Sequence, residues 1–557
     1  MKLTLFTIAI VALALASMGQ IIYNNGARIT TRTDGTQDYW VVSSGAFTLQ
    51  SESATDLATF GNLEIKTGAS LALTSSTCLT VNGTLTNGAG VTGLTIPSTS
   101  TKTASLMILG STVASGTAER YMTPSKWHVV AAPASETLSG FLTRNLIIPK
   151  ITGTGFDGTL LGMMDYNTGD NKWNGYFTTA TGANFLPGNG YMVRIEPDAI
   201  ESLVFKGTLN AGATNVTVTS GWNCIGNPFT TAIQISNGTN AFLYQNTLNT
   251  LESTIDPSHF GVYSWNDVSK AYDVINEASA ASYAQSGQGF FVKAKTGLVT
   301  SGDTKNDFVS FTPAMQIHNT ALVFKAVTLP YPSIKLLATS NEAKASTDIK
   351  FIDGTTNGLD RGWDAGILKA GAPFSVYTKL VEDNGVEFQL QCLPNSGFSK
   401  IIIPIGIDSK VGGEIVFSVQ AVQLDPTCKV ILEDRLTNTF TDLSTSTYKA
   451  AIVANTAGTG RFYLHTGDIV SGREDQLLAG GKINAYAKGN MEIRVLGVVS
   501  EGAIATLVNG LGQVVLTKKL GAGNLNIIGL PNLSSGLYLL HIENNGTPQT
   551  IKVIVRK

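Results

Sequence analysis

The fold of this chain is decided near its end, at Gly536-Leu-Tyr-Leu-Leu-His-Ile542 and Thr550-Ile-Lys-Val-Ile-Val555. In the second stretch every other residue, from Ile551 to Val555, is a β-branched aliphatic. Because successive side chains of a strand point to opposite faces, this period of two predicts strands that bury one face. Similar short stretches, separated by Gly- and Asn-rich turns, precede them from residue 491 onward. Residues 483–557 are therefore expected to form a small antiparallel, immunoglobulin-like β-sandwich.

Three motifs of this tail resemble the type A C-terminal sorting domain of proteins exported by the type IX secretion system of Bacteroidetes. They are Leu511-Gly-Gln-Val-Val515, Leu533-Ser-Ser-Gly-Leu-Tyr-Leu-Leu540 and Thr550-Ile-Lys-Val-Ile-Val-Arg-Lys557. A Tyr-Pro-Asn-Pro-like opening, frequent in such domains, is replaced here by Ala485-Tyr-Ala-Lys488. The resemblance implies recognition by the outer-membrane translocon and its sorting machinery, removal of the domain, and attachment of the remainder to surface lipopolysaccharide. The residues that the resemblance marks as the sorting signal are Gly512, Gly536, Tyr538 and Lys552.

The opposite end of the chain also fits an exported protein. Lys2 is followed by an apolar run over residues 3–15 and then by Ala16-Ser-Met-Gly19, which is the pattern of a secretory signal peptide over residues 1–19. A run of this length is too short to cross a bilayer, which takes about 20 residues. We therefore expect passage through the periplasm to the outer cell surface or the medium, and not an integral membrane protein.

Composition narrows the classes of function. Of the 557 residues 14% are charged and the net charge is −2, so there is no electrostatic basis for binding nucleic acid. The length predicts several domains, at about 100–200 residues each. Four cysteines are too few for a disulfide scaffold. Cys392 and Cys428 lie on strand-like segments of one predicted module, where a single bridge is the alternative to two packed thiols.

Residues 21–120 contain short apolar dyads such as Leu63/Ile65, Leu71/Leu73 and Leu79/Val81, with polar turns between them. The first three dyads start 8 residues apart. Residues at i and i+2 share a face, and frequent turns bend the chain before a long strand can form. Stacked rungs of this kind bury a continuous apolar stripe, which predicts a short β-solenoid; a sandwich of short strands is the alternative.

Residues 121–221 and 222–314 are interpreted as two copies of one β-module. Trp127-His-Val-Val-Ala-Ala-Pro133 corresponds to Trp222-Asn-Cys-Ile-Gly-Asn-Pro228, 95 residues later. Pro187-Gly-Asn-Gly-Tyr-Met-Val-Arg194 corresponds to Ser286-Gly-Gln-Gly-Phe-Phe-Val-Lys293, 99 residues later. A repeat of this length is a domain-sized unit. Gly-x-Gly before an aromatic strand suits a tight turn with positive φ. The arrangement resembles paired β-modules of large exported Bacteroidetes proteins.

Residues 315–467 hold further apolar strands and are expected to form a β-sandwich. It resembles the sandwich region that often precedes the sorting domain in such proteins. Residues 468–482, with Ser471-Gly-Arg-Glu-Asp475 and Gly480-Gly481, are predicted to be an exposed linker. If the sorting domain is removed, we expect the cut in this linker.

Each copy carries aromatic residues between its two landmarks. Stacked on a sheet, such rings either bind sugar faces or fill the core of a sandwich, and their recurrence in both copies favours the core. As candidate ligand-binding residues we name Tyr166, Trp173, Tyr176, Tyr263, Trp265 and Tyr272.

Signals for catalysis or metal binding are sparse. The five histidines are scattered over separate modules, and neither a nucleophile elbow nor a phosphate-binding loop occurs in the sequence. Four acids at 348, 353, 360 and 364 are the best calcium candidates, but aspartates also cap turns, and we favour that role for Asp348, Asp353, Asp360 and Asp364. We therefore predict no cofactor, no resident metal and no catalytic site.

These observations favour a non-catalytic, structural or adhesive protein of the cell surface or medium. The alternative is an extracellular carbohydrate-binding protein that uses the aromatics of the two copies. A hydrolase or lyase ranks third, because no paired carboxylates can be placed on one face. Surface lipopolysaccharide and glycans are the expected partners beyond the secretion machinery.

Overall fold

The computed structural model divides the chain into two compact units, residues 1–467 and 468–557, here called the body and the tail. The predicted signal peptide, residues 1–19, and the predicted linker, residues 468–482, lie outside the described residues. Described are residues 20–33, 38–51, 57–110, 114–153, 156–177, 184–196, 202–248, 254–266, 271–298, 307–320, 331–340, 343–369, 372, 374–380, 386–396, 401–424, 428–466, 483–488, 492–531 and 533–555.

The chain is built almost entirely of strands, which confirms the predicted all-β fold class. The helical elements of the described residues include α1 (Leu138–Arg144), 3-10 turns at Gly90–Thr92 and Pro313–Met315, and a π-helical turn (Tyr244–Leu248). The same part contains no helix long and apolar enough to cross a membrane.

The first segment of the body stacks short strands in parallel. In one sheet β2 lies between β4 and β5, with β7 beyond β4 and with β8 and then β10 beyond β5. A second sheet contains β3, β6 and β9. Leu63, Leu71 and Leu79 from the predicted dyads are at most 1% exposed and share one core between these sheets. The long strands β1 and β2 pair antiparallel beside these parallel strands, and the solenoid interpretation stays a prediction. The strands are β1 (Gln20–Thr33), β2 (Asp38–Ser51), β3 (Leu57–Phe60), β4 (Asn62–Ile65), β5 (Ala69–Leu73), β6 (Cys78–Val81), β7 (Leu85–Asn87), β8 (Leu94–Ile96), β9 (Ser105–Ile108) and β10 (Ser115–Tyr121).

The segment interpreted as the first copy of the module extends this architecture. Its strands β18, β12 and β16 join the edge of the first sheet through β10, so the sheet runs on past residue 120. Its other strands form a sheet in the order β11-β17-β14, with β13 and β15 both pairing with β14. The strands are β11 (Trp127–Ala131), β12 (Ala134–Thr137), β13 (Lys150–Gly153), β14 (Phe156–Asn167), β15 (Lys172–Phe177), β16 (Asn184–Phe185), β17 (Gly190–Arg194), β18 (Ser202–Leu209) and β19 (Thr214–Thr217).

The segment interpreted as the second copy contains a sheet of the same topology. Its order β20-β25-β22-β23 matches β11-β17-β14-β15 strand for strand. The registers agree as well, because Trp127 lies opposite Arg194 and Trp222 opposite Lys293. The strands are β20 (Gly221–Gly226), β21 (Ala232–Gln234), β22 (Val262–Asn266), β23 (Ala271–Ile275), β24 (Tyr283–Ala284), β25 (Gly289–Ala294), β26 (Phe308–Phe311) and β27 (Gln316–Ile317).

The last segment of the body is an 11-stranded sheet wrapped around one apolar core. Its two edge strands, β36 and β37, come together because the Tyr448 hydroxyl on β37 contacts Thr439 on β36 and Asp434 on β35. The sheet is thus nearly closed. The strands are β28 (Ser333–Thr339), β29 (Lys344–Phe351), β30 (Ala365–Gly366), β31 (Phe374–Lys379), β32 (Glu387–Leu393), β33 (Ile402–Ser409), β34 (Gly413–Val422), β35 (Val430–Asp434), β36 (Thr439–Asp442), β37 (Tyr448–Ile452) and β38 (Phe462–Thr466).

The tail consists of two antiparallel sheets, β39-β40-β43 and β42-β41-β44-β45, around a common core. Strand β44 shows how the predicted alternation works, since Tyr538, Leu540 and Ile542 point into the core. The strands are β39 (Asn484–Lys488), β40 (Glu492–Val499), β41 (Ile504–Val508), β42 (Val514–Lys519), β43 (Gly523–Gly529), β44 (Gly536–Asn544) and β45 (Thr547–Val555).

Candidate functional site

The outer face of the tail's four-stranded sheet carries exposed aliphatic side chains at one end. Leu537 on β44 lies directly opposite Ile554 on β45, and the two are 51% and 56% exposed. Val514 on β42 and Leu511 in the preceding turn are more exposed still. Large aliphatics are normally on the inner face of a half-buried strand, so an outward cluster indicates a contact surface. We call Leu511, Val514, Leu537 and Ile554 the tail patch.

Two of the four predicted sorting residues are glycines at the same end of the sheet as the tail patch. Gly512 forms the β41–β42 turn with a φ of +79°, a conformation that side chains other than glycine rarely adopt. Asn509 completes the turn, its Oδ1 accepting hydrogen bonds from the N–H groups of Leu511 and Gln513. Gly536 begins β44 opposite Val555. Both glycines therefore shape the rim of the tail patch.

The other two predicted sorting residues face opposite sides of the sheet. Tyr538 is 8% exposed and points into the core, where its hydroxyl donates to the Ser534 carbonyl at 3.0 Å. Lys552 is exposed and lies opposite Leu539, on the same face as the tail patch. Sequence reasoning missed Leu537, Ile554 and Val514. The sequence did contain a signal for them, because large aliphatic residues occur at both odd and even positions of the alternating strands.

The candidate aromatics of the two copies meet in one contact rather than forming two separate platforms. Phe291 is fully buried and packs edge-on against Tyr166, Trp173 and Tyr272, with ring centroids 4.7, 5.5 and 5.3 Å away. Trp265 continues the row, 5.2 Å from Tyr272. We call these five rings the aromatic seam. Edge-to-face contacts at these separations stabilise the packing beyond the burial of area.

Strand register, rather than order in the sequence, shows which aromatic residues of the two copies are equivalent. Tyr166 lies opposite Trp173 on β15, and Trp265 lies opposite Tyr272 on β23. Tyr166 therefore corresponds to Trp265, and Trp173 to Tyr272. Tyr176 lies on β15, and its side chain is outside the described part of the structure.

Burial within the seam region is uneven. Tyr263 is fully buried, and its hydroxyl donates to the Gly366 carbonyl at 2.6 Å. Burial, with a smaller contribution from the charge of Asp256, raises its pKa well above the ordinary value. Burial likewise raises the pKa of Tyr166 to about 12. Tyr166, Trp173 and Trp265 are half-buried.

A small cavity of about 20 Å³ lies beside Trp265, between the second copy and the sandwich segment. Its wall includes Tyr272, Ser346, Ser375 and Gln389. The indole Nε1–H of Trp265 is buried, and no acceptor for it occurs among the described residues. A cavity of this size holds about one water molecule or one hydroxyl group.

Asp360 and Asp364, two of the four candidate calcium acids, accept hydrogen bonds from backbone N–H groups. Buried Asp364 accepts hydrogen bonds at 2.7 Å from the N–H groups of Asp360 and Cys392. Asp360 accepts from Thr356, Asp348 pairs with Lys335, and Asp353 is exposed. Burial raises the pKa of Asp364 to about 7, although its two N–H partners oppose the rise. Across the described residues no group of three or more His, Cys, Asp or Glu side chains is arranged to hold a metal ion.

The proposed alternative of a Cys392–Cys428 bridge is wrong. All four cysteines lie in the described part of the chain, and no disulfide joins any two of them. Cys392 is buried, and its Sγ contacts the Trp363 carbonyl. Burial raises its pKa well above the ordinary value, so the thiol is protonated and acts as a packed apolar group.

Residues 35–465 match the family described as a domain of unknown function, DUF8693. The chain belongs to the DUF8693 family. Beyond the DUF8693 region, residues 487–556 match the secretion system C-terminal sorting domain. This DUF8693 protein is therefore an exported Bacteroidetes protein with a type IX sorting domain, and its location is the cell surface or the extracellular space.

Other comparisons add little to this assignment. No curated protein matches the chain. A solved structure titled Polysaccharide Lyase BACCELL_00875 is 11% identical, with a TM-score of 0.14, over 40% of this DUF8693 chain and 39% of its own. A second, titled Biofilm associated protein - BSP domain, is 9% identical, with a TM-score of 0.15, over 79% of this chain and 92% of its own. At these TM-scores neither carries an argument about function.

Proposed function

We propose that the body is a passive structural or adhesive scaffold, displayed outside the cell, and that the tail patch is where the export machinery engages the tail. The observation that supports the scaffold role is the use made of buried polar side chains. Several of these side chains in the body join one segment to another.

A half-buried histidine and a buried arginine of the body illustrate this use. His318, beyond the second copy, contacts the Ser105 and Thr80 hydroxyls of the first segment at 2.8 Å each. Burial lowers its pKa to about 4, so it stays neutral and fixed. Arg120 is 7% exposed and donates to the Ser286 carbonyl of the second copy at 3.1 Å.

The sandwich segment is joined to the second copy in the same way. Lys350 is 4% exposed and its Nζ donates to the Ala278 carbonyl at 2.6 Å. Asn276 donates to the Trp363 carbonyl at 2.6 Å. Such cross-links hold the segments in one arrangement, which suits a layer component or an adhesin that bears load.

The scaffold role is tested by deleting the gene and restoring it in its natural host. We expect the deletion strain to attach less to surfaces, to other cells or to its own layer, and the restored strain to recover. The purified protein is then incubated with a panel of polysaccharides. Release of new reducing ends would overturn the non-catalytic proposal and favour a lyase or hydrolase.

Carbohydrate binding is the second candidate, and the cavity beside Trp265 favours it. A buried indole N–H without an acceptor, next to Ser346, Ser375 and Gln389, suits the insertion of one sugar hydroxyl group. Trp265→Ala is expected to abolish glycan-array binding with the fold intact. Trp222→Ala, in the same copy but remote from the cavity lining, is the matched control. Equal binding by both variants and the parent would remove this candidate.

A further inference from the structure

We propose that Lys369 and Asp408 condense to an intramolecular amide, with Glu387 as the proton carrier. Lys369 follows β30 and Asp408 lies on β33, so an amide would tie two separate parts of the sandwich segment, while Glu387 at the start of β32 forms no bond. This exported chain has no disulfide to strengthen it. The proposal stands independently of the scaffold and glycan proposals.

The two reacting groups and the proton carrier are already in contact. Lys369 Nζ is hydrogen-bonded to Asp408 Oδ2 and also to Glu387 Oε2. An amine in hydrogen-bond contact with a carboxyl oxygen is close to attack distance from its carbon. Groups held in this way react with effective molarities of about 10⁵–10⁸ M, which is how a condensation that is unfavourable between free molecules becomes feasible within a fold.

The other oxygen of Asp408 is held by two donors. The Tyr377 hydroxyl donates to Oδ1 at 2.9 Å, and the Gly458 N–H donates to the same atom at 3.1 Å. Burial, followed by the charges of Glu387 and Asp408, raises the pKa of Tyr377, so its hydroxyl remains a donor. When the amine attacks, negative charge develops on Oδ1, and a pair of preorganised donors stabilises that charge.

The position of Tyr377 depends on a glycine. Gly406 lies opposite it on β33, and a Cβ there would come within 2.0–2.7 Å of the tyrosine ring. Any other residue would displace the ring. Lys369 Nζ lies 4.4 Å from the centre of the same ring, so the ring also helps to hold the amine in place. The site is therefore shaped by the backbone and is more than a surface ion pair.

The reaction balances without a further reagent. The Lys369 ammonium passes one proton through Glu387 to Asp408 Oδ2, which leaves a neutral amine and a neutral carboxyl group. The Nζ lone pair then forms a bond to the Asp408 carbon, with Oδ1 carrying the charge. Glu387 takes the second amine proton and delivers it to Oδ2, and the C–Oδ2 bond breaks to release water.

The ionisation of Asp408 in the resting protein sets the rate of condensation. Partial burial raises the pKa of Asp408, but the hydrogen bonds from Lys369, Gly458 and Tyr377 outweigh it and hold the pKa below the ordinary value. Asp408 therefore rests as the carboxylate, and its side chain and that of Lys369 are 29% and 34% exposed. The neutral carboxyl group that the reaction needs forms rarely, so we expect slow condensation over the lifetime of the folded protein.

The test is the intact mass of the purified full chain, followed by tryptic mapping. We expect a mass lower than that of the reduced sequence by one water, no cleavage after Lys369, and a branched peptide that contains Lys369 and Asp408. Glu387→Gln should slow the loss of water about 100-fold, the contribution typical of a positioned proton carrier. Lys369→Arg should abolish the loss.

Lys449→Arg is the matched control, because Lys449 forms an exposed ion pair with Glu414 in the same sandwich segment and pairs with no second carboxylate among the described residues. This variant should lose water as the parent does. The full sequence mass in the parent after prolonged incubation would overturn the proposal, as would an unchanged loss in Glu387→Gln. Both results are measured on the parent and on Glu387→Gln, so the test does not depend on whether Lys369→Arg folds.

Discussion

Gly190 and Gly289 occupy equivalent places in the two copies, and each lies against the first strand of the other copy. A Cβ on Gly190 would come within 2.5 Å of Cys224 Sγ, and one on Gly289 within 2.6 Å of Val129 Cγ1. The backbone bridges are also reciprocal, Asn189 with Ile225 and Val130 with Gln288. Each contact occurs twice with the roles exchanged, as at the interface of a symmetric dimer.

This relationship explains the repeated Gly-x-Gly motif. The first glycine of each motif has a positive φ, +89° at Gly188 and +70° at Gly287, and makes the turn. The second has an ordinary φ and provides room for the other copy. The predicted need for positive φ therefore holds for the first glycine only, and close approach accounts for the second.

The reciprocal contact predicts that Gly289→Ala lowers the free energy of unfolding by about 1–3 kcal/mol, because the new methyl group meets Val129 and the Val130 carbonyl. Gly212→Ala is the control, since nothing lies within 4 Å of a Cβ there. Denaturant unfolding of the body measures both. Equal stabilities would contradict the close packing of the two copies.

Asp364 predicts a pH dependence of stability. Its folded pKa of about 7 is above the 3.8 of an ordinary aspartate, so the folded state holds its proton more tightly than the unfolded state. The stability it contributes is complete below pH 3.8 and is lost as the pH rises towards 7. The loss is at most about 1.4 kcal/mol per pH unit.

Asp364→Asn removes this titration. Unfolding free energies measured between pH 4.5 and 7 should fall less steeply with rising pH in the variant than in the parent. The exposed Asp353→Asn is the control and should keep the parent's slope. Identical slopes in the parent and Asp364→Asn would show that the buried carboxyl group is not perturbed as described.

The tail patch predicts an export defect without a folding defect. Replacing Leu537 and Ile554 by serine removes the aliphatic pair but leaves the inward side chains of both strands in place. We expect several-fold less protein outside the cell. Ile504→Ser is the control, because Ile504 is 45% exposed at the other end of the sheet. Normal export of the double variant, or an equal defect in the control, would argue against the patch.

Gln391 predicts a stabilising substitution. It is fully buried, and among the described residues neither its side-chain nitrogen nor its oxygen has a hydrogen-bond partner. Gln391→Met keeps the volume and is expected to raise the free energy of unfolding by about 1 kcal/mol. Gln389→Met should instead lower it, because Gln389 donates to the Ser346 carbonyl. Thermal melts of both variants show whether each substitution raises or lowers the stability.

The sequence predicts the local features of this fold well, because they follow from spacing alone. Alternation around Tyr538 indicates the tail strands, and the dyads at Leu63 and Leu71 indicate the stacked rungs. The motif pairs around Trp127 and Trp222 indicate the duplication, which the equal strand orders and registers support.

Features that depend on tertiary contacts could not be predicted. The reciprocal placement of Gly190 and Gly289 requires knowing which strands of the two copies meet. The Lys369 site draws on residues from separate strands and loops. The outward aliphatics Leu537 and Ile554 conflict with the simple rule that alternation exposes polar residues, and conflicts of this kind are expected at functional surfaces.

The most direct test of the account is the amount of protein outside the cell when residues 483–557 are deleted. We predict that the shortened chain is absent from the surface and the medium and accumulates in the periplasm. A reporter that carries the signal peptide and this tail should leave the cell. Unchanged amounts of the shortened chain outside the cell would contradict the role of the tail and the scaffold function built on it.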